Sequence, residues 1–281
     1  MSNDNSIKVS LIIAVYKDIE ALDVIVEALK NQTYKKFEIV IAEDNDSTEM
    51  KSYISKIKGL EVKHTHQQDI GIRKTRSLNN AILASVGEYL IFIDGDCVPY
   101  SAFIESHIKL SESNYVVSGR RCNLGPKYSS LLRQKKLSPI KLEKSFVRKF
   151  PLLLKDGKEG HVEAGFYVSP DGFFYHAFLK NRKGNKGIVG CNYSCFKSDM
   201  VRINGYDEGY GESSVGDDTD LEWRFKALGL KLKSAKNVAN MFHLYHGRGS
   251  RNEVLYKAEL ENMFENKKNN IFVCKEGINQ H

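Results

Sequence analysis

Four short stretches of this 281-residue chain carry side chains whose types and spacing could do chemistry. Asp94-Gly95-Asp96 follows the apolar run Tyr89-Leu-Ile-Phe-Ile93, where a carboxylate has no packing role. Two carboxylates separated by a glycine can hold a hard divalent cation and leave coordination positions for phosphate oxygens and water. The plainer reading is an Asx-rich turn that ends a strand. Gly216-Asp217-Asp218-Thr219-Asp220 precedes the helical-looking Leu221-Glu-Trp-Arg-Phe-Lys-Ala-Leu228. Acidic residues at a helix start complement its dipole. Three carboxylates in four residues exceed what a cap needs, and mutual repulsion with partial burial could keep one basic enough to take a proton. In Phe242-His243-Leu-Tyr-His246, two imidazoles at i, i+3 could place one or both near a metal. A buried structural histidine is the alternative, and zinc is not expected without a matching Cys/His set. Gly71-Ile72-Arg73-Lys74-Thr75-Arg76 stands just before a helix. Its basic side chains and backbone N–H groups suit a pyrophosphate, or else form a solvated basic loop.

The elements that must position these groups are legible from hydrophobic periodicity. Val9–Val15 and Phe37–Ala42 read as strands buried on both faces, the second running into Glu43, Asp44 and Asp46. Leu22, Ile25, Val26 and Leu29 fall at i, i+3, i+4 and i+7, an amphipathic helix. Leu60–His64 is expected as a third strand, residues 75–85 as a helix with Leu78, Ala81 and Ile82 on one face, and Tyr89–Ile93 as a fourth strand. Strands alternating with helices imply an α/β fold with a mostly parallel central sheet, whose ligands bind beyond the carboxyl ends of the strands. After Gly119 the pattern loosens into long connections, a basic segment and the aromatic run Phe173-Phe174-Tyr175. It becomes regular again near Gly187, and Tyr256, Leu260, Met263 and Phe264 suggest a closing helix. No internal repeat or Gly/Ser/Pro linker divides the chain, so one domain over 1–281 is expected.

Composition narrows the class. At 27% charged and 41% hydrophobic residues, the chain has material for a buried core and is neither collagen-like nor disordered. No apolar run approaches the length of a membrane span, no signal-peptide pattern opens the chain, five cysteines in no framework spacing suit a reducing compartment, and Cys191 and Cys195 read as packed thiols. A cytoplasmic protein is the expectation. The net charge of +7 is concentrated in residues 127–186, which hold 14 basic and 5 acidic residues with Leu131, Leu132, Phe146 and Phe150 interleaved. This is either a solvated helical face over a buried stripe or a surface for anionic lipid or an acidic acceptor. No nucleic-acid-binding signature accompanies it, so no nucleic-acid partner is expected. The absence of a Walker loop, a dinucleotide glycine fingerprint and a G-x-S-x-G elbow disfavours ATPases, dehydrogenases and serine hydrolases of that type. Tyr16-Lys-Asp-Ile-Glu20 stands where a sugar nucleotidyltransferase would carry a Gly-rich basic loop.

Taken in order, these motifs resemble the family 2 nucleotide-sugar glycosyltransferases of GT-A fold, over most of the chain from Val9 to about Arg251. Val9–Tyr16 looks like the family's opening strand, with Val15 at the nucleotide. Phe37–Ser47 looks like its second strand, which would put Asp44 on the uracil edge and Glu43 beside it. Many members read Asp-Asp-Gly-Ser where this chain has Glu43-Asp44-Asn45-Asp46. The resemblance implies donor contacts from Gly71, Arg73, Arg76, Asp94 and Gly95, and a metal held by Asp96 with His246 and, less directly, His243. Gly190-Cys-Asn-Tyr-Ser194, Asn204-Gly-Tyr-Asp-Glu208 and Gly216-Asp217-Asp218 resemble an acceptor half shared with galactosyltransferase-like and chondroitin-polymerase-like members. There Asp217-Asp218 replaces the usual Glu-Asp, Asp218 inheriting the base role and Asp217 an acceptor contact.

The resemblance therefore implies a nucleotide-sugar half at about 7–118, an acceptor half at about 119–250 and a C-terminal helix and tail at about 251–281. It implies an inverting transfer of a hexose from a UDP-sugar, with Mn2+ or Mg2+, to a hydroxyl of a glycan or glycolipid in surface polysaccharide biosynthesis. Peripheral contact of residues 127–186 with the anionic inner face of the cell membrane would bring it to lipid-linked acceptors. The alternative is a catalytically lapsed protein of the same fold that binds a glycan or a membrane.

Overall fold

The computed structural model describes residues 7–182, 187–212, 214–247 and 252–281; residues 183–186 of the basic segment, Ser213 and Arg251 lie outside the described residues. The expected alternation opens the chain: β1 (Val9–Val15), α1 (Ile19–Lys30), β2 (Phe37–Glu43), α2 (Thr48–Ile54), β3 (Val62–Thr65), α3 (Lys74–Ala84) and β4 (Tyr89–Asp94). It continues through β5 (Cys97–Pro99), α4 (Phe103–Leu110), β6 (Tyr115–Ser118), β7 (Cys122–Asn123), α5 (Pro126–Arg133), α6 (Pro139–Lys144) and α7 (Phe146–Asp156). Then come β8 (Asn192–Phe196), α8 (Lys197–Arg202), α9 (Asp218–Ala227), β9 (Lys231–Ser234), β10 (Met241–His243) and α10 (Glu253–Lys268).

The main sheet runs β3-β2-β1-β4-β8-β6-β9. β1 pairs in parallel with β2 and β4, β2 with β3, and β6 with β9, while β8 runs antiparallel to both its neighbours. The sheet is thus mixed and mostly parallel. Leu11, Ile12 and Ile13 of β1 are fully buried because helices cover both faces, which is why this strand is a continuous apolar run. Asp18 caps α1 by accepting from Ala21 N at 3.0 Å, and α1 turns Leu22, Ile25 and Leu29 into the core. The third strand begins at Val62 rather than Leu60, because its ladder to β2 starts at the Ile39–Val62 pair, after Glu61 O has accepted from Ile39 N at 2.8 Å.

After Gly119 the structure departs from the expected long connections. The basic segment folds into α5, α6 and α7, with Pro126 and Pro139 in the first turns of α5 and α6 and Leu132, Leu142, Phe146 and Leu153 buried beneath. A small second sheet, β5-β10-β7, registers His243 opposite Cys97, one residue from Asp96. The insertion of β8 is secured by His107 of α4. Its Nδ1 accepts from Ser194 Oγ at 2.7 Å, its Nε2 donates to Asn192 Oδ1 at 3.1 Å, and Tyr89 OH completes the chain by bonding Ser194 Oγ at 2.8 Å. Burial holds the His107 imidazole neutral, with its pKa down to about 4. All five cysteines are buried free thiols, as expected for Cys191 and Cys195.

Candidate active site

β1, β2 and β4 end side by side, with Val15 opposite Glu43 and Ala14 opposite Asp94, so their C-terminal residues converge on one edge. The chain leaves β4 through Gly95, where a Cβ would stand 2.8 Å from Ala14 O and 3.1 Å from Val15 Cγ1. Only glycine lets the Asp94–Asp96 turn lie this close to β1. Asp96 Oδ2 then faces His246 Nε2 at 3.1 Å and His243 Nε2 at 3.4 Å. One ligand atom from each of these residues lies within 4.8 Å of the others. The two imidazoles hold the Asp96 carboxyl well below its usual range against its burial, and the Asp96 carboxylate lifts His246 to about 9. His243 is 4% exposed and its Nδ1 has no partner among the described residues. A carboxylate and two imidazoles with one buried ring nitrogen unmatched form a donor set that fits a divalent transition ion such as Mn2+ better than Mg2+.

A cavity of about 680 Å³ opens beside this cluster, lined by Val15, Tyr16, Asp44, Gly71, Ile72, Lys74, Asp94, Gly95, Asp96 and His246 among others. Asp44 is held at its wall by Gln67 Nε2 and Arg73 N, both 2.7 Å from its carboxylate. Glu43, expected beside it, is fully buried and occupied elsewhere: His64 Nε2 lies 2.8 Å from its Oε2, and Ser47 N donates to its Oε1 at 3.4 Å. Arg73 contributes its backbone N–H, while its guanidinium bonds Gln68 O. Arg76 is exposed and, like the Arg73 side chain, does not line the cavity. The basic side chain of this motif that lines the cavity is Lys74.

Lys74 Nζ lies 2.7 Å from Asp94 Oδ1 and 2.7 Å from Asp217 Oδ2. The two carboxylates raise Lys74 well above its ordinary value in spite of burial. This contact leads into a second cavity of about 630 Å³, lined by Asp94, Asn123, Cys191, Asp217, Asp218 and Thr219 with several basic residues. Gly190 admits the acidic pair, since a Cβ there would meet Asp217 Oδ1 at 2.6 Å, and its N–H donates to Asp218 Oδ2 at 3.3 Å. Burial raises the Asp217 carboxyl even though Lys74 opposes the shift. Asp218 has no cation within salt-bridge distance among the described residues. Asp220, the third carboxylate, is structural: fully buried, it accepts from Tyr210 OH, Trp223 Nε1 and Arg224 Nη1 at 3.0, 2.8 and 3.0 Å.

The structure thus brings Val15, Asp44, Gly71, Asp94, Gly95, Asp96, His243, His246, Asp217 and Asp218 to one edge, and leaves Glu43 and the side chains of Arg73 and Arg76 outside both cavities. Lys74 lay inside a motif recognisable in sequence, but nothing there singles it out from Arg73 and Arg76.

Comparison with known proteins matches residues 10–168 to the family described as Glycosyl transferase family 2, and residues 175–247 to the N-terminal domain of galactosyltransferase. An uncharacterized glycosyltransferase of Rickettsia felis is 34% identical over 115 residues, 40% of this chain and 18% of its own length. One from Rickettsia conorii is 32% identical over 118 residues, 41% of this chain and 19% of its own. The match therefore spans about a fifth of those relatives. Among solved structures, GalNAc-T7 with UDP, GalNAc and Mn2+ superposes with a TM-score of 0.63 at 14% identity, over 94% of this chain and 48% of that one. The mannosyltransferase PcManGT of Pyrobaculum calidifontis, with GDP-Man and Mn2+, gives 0.55 at 14% identity, over 88% and 59%. At these identities the likeness is one of fold.

Proposed function

The chain belongs to glycosyl transferase family 2, and on that footing we propose that it transfers a hexose from a UDP-sugar to a hydroxyl of a glycan or glycolipid, inverting the anomeric centre. The observation that carries this reading is the pair of cavities sharing Asp94, one beside a candidate metal cluster and the other beside an acidic pair. In it, the donor occupies the 680 Å³ cavity, with Asp44 toward the base and the apolar surfaces of Tyr16 and Ile72 at the rim. Asp96, His243 and His246 would hold Mn2+, which when bound supplies positive charge to the diphosphate of the leaving UDP.

Asp218 accepts the proton of the attacking hydroxyl. Its neighbour Asp217 is already neutralised by Lys74, which leaves Asp218 as the carboxylate without a cation. Asp217 Oδ1, buried and without a partner among the described residues, is placed to accept a hydrogen bond from the acceptor sugar. The test is calorimetry of UDP with the full chain. UDP should bind with Mn2+ and not with EDTA, in preference to GDP and CDP, and Asp96→Ala should abolish the metal dependence. UDP binding that ignores Mn2+ would remove the metal assignment. Binding without any turnover of UDP-sugars would favour the lapsed, glycan-binding alternative.

The outer face of α7 supports peripheral membrane attachment. No helix of the described residues is long and apolar enough to cross a membrane. Yet Val147, Leu152 and Leu154 are 73%, 57% and 57% exposed, interleaved with Arg148 and Lys155. Apolar side chains beside basic ones on an exposed helix suit the boundary between anionic headgroups and acyl chains.

A further inference from the structure

The cavity beside Asp217 and Asp218 has a feature that a neutral acceptor would not require. Arg120 and Arg121, in the connection between β6 and β7, both line it and are half-buried, and among the described residues neither pairs with a carboxylate. Arg133 and Arg224 are matched, by Asp18 at 2.7 Å and by Asp220 at 3.0 Å, while the half-buried Arg73 and Arg182 donate to backbone carbonyls. Arg120 is fixed through a single nitrogen, Nη1, which donates to Gly119 O at 2.6 Å, Gly187 O at 3.0 Å and Ser118 Oγ at 3.2 Å. Its Nε and Nη2 meet no protein acceptor among the described residues. Arg121 Nη1 has a thiol for its polar contact, Cys191 Sγ at 3.7 Å.

The acidic groups of the same cavity do not supply the missing charge. Asp94 and Asp217 are engaged by Lys74, and among the described residues neither Asp218 nor Glu159, which also lines the cavity, forms an ion pair with either arginine. Glu222, whose charge Arg120 feels, is bound by Lys226 at 2.5 Å. Burial accordingly lowers the Arg120 guanidinium from its ordinary value. The frame that holds Arg120 is rigid: its backbone carbonyl accepts from Asn192 Nδ2 at 2.9 Å, and Asn192 is itself fixed by His107. On the same wall Asn123, 5% exposed, has an Oδ1 with no hydrogen-bond partner among the described residues. Two half-buried guanidiniums with no carboxylate partner among the described residues, beside an unmatched buried amide oxygen, describe a site suited to a ligand that brings negative charge and hydroxyl groups together.

We infer that the acceptor is an anionic saccharide, whose carboxylate or phosphate is received by Arg120 and Arg121 while Asp218 addresses its hydroxyl. The inference rests on the transferase reading of the same site. A planar guanidinium fork matches either group with paired hydrogen bonds, which a lysine cannot do.

The experiment titrates the full chain, in Mn2+ and UDP, with methyl β-D-glucopyranoside, the corresponding methyl glucuronide and α-D-glucose 1-phosphate. One anionic probe should bind about tenfold or more tightly than the neutral glycoside, the range of a charge-assisted hydrogen-bond pair. Which of the two does so identifies a uronic acid or a sugar phosphate as the source. Arg120→Gln should remove most of the preference and Arg120→Lys should restore part of it. Equal binding of all three probes, or of none, would overturn the inference in a protein that still binds UDP with Mn2+. So would a preference that survives Arg120→Gln together with Arg121→Gln. An anionic preference in a protein that fails to bind UDP would sink the donor assignment and leave the anion site standing.

Discussion

At the scale of single residues, the site turns on which carboxylate is neutralised. Lys74 takes Asp94 and Asp217, so Asp218→Asn should cost about 10²–10⁴-fold in transfer rate, the usual contribution of a general base, while calorimetry should show UDP binding with Mn2+ intact. Near-normal transfer by that variant would move the base role elsewhere. Lys74→Met leaves two facing carboxylates without their cation. It should lose about 1–3 kcal/mol of unfolding free energy in a denaturant titration, with Lys74→Arg losing less. The acidic and imidazole members of the site were legible in sequence because carboxylates after apolar strands have no packing use. Lys74 was not, and the reason is angular. At the start of a helix successive residues turn by about 100°, so of Arg73, Lys74 and Arg76 only one need face a given cavity, and spacing does not say which. Glu43 and Asp44 fail to act together for a related reason, since adjacent residues at a strand end point to opposite sides.

Elements divide along the same line between local and non-local information. β1, α1, β2, α3 and β4 were readable from periodicity because each buries a pattern carried within its own residues. That β8 would enter the sheet antiparallel between β4 and β6 was not readable, because it depends on partners far away in sequence. His107 is one of those partners, and its environment gives a measurable signature. Its folded-state pKa of about 4 lies below the ordinary imidazole value, so the folded protein excludes a proton that the unfolded chain accepts. Stability from this group is full above about pH 6.5 and is lost as the pH falls toward 4. Denaturant titrations across that window should show a decline of up to about 1.4 kcal/mol per pH unit from this residue. His107→Gln, which cannot titrate, should flatten that part of the profile. An unchanged slope would mean that His107 is protonated in the fold. The basic segment was legible as a solvated helical face over a buried stripe, but its division into α5, α6 and α7 was not, since each is brief and shows only a narrow buried stripe.

At the scale of the molecule, charge and apolar surface are distributed unevenly. If α7 meets anionic lipid, the chain should co-sediment with vesicles containing phosphatidylserine, and Val147→Ser with Leu154→Ser should weaken this about tenfold or more. Equal sedimentation of that variant, or equal binding to neutral vesicles, would count against the contact. A different consequence follows from Asp94, which belongs to both cavities and is tied to Asp217 through one ammonium group. Whatever draws Asp94 toward one ligand alters the electrostatic partner of Asp217 at the other. The two occupancies are then thermodynamically linked: the factor by which donor changes acceptor affinity must equal the factor by which acceptor changes donor affinity. Three side chains would in that way couple the two sites by the same factor whichever ligand loads first, without any movement of one half against the other.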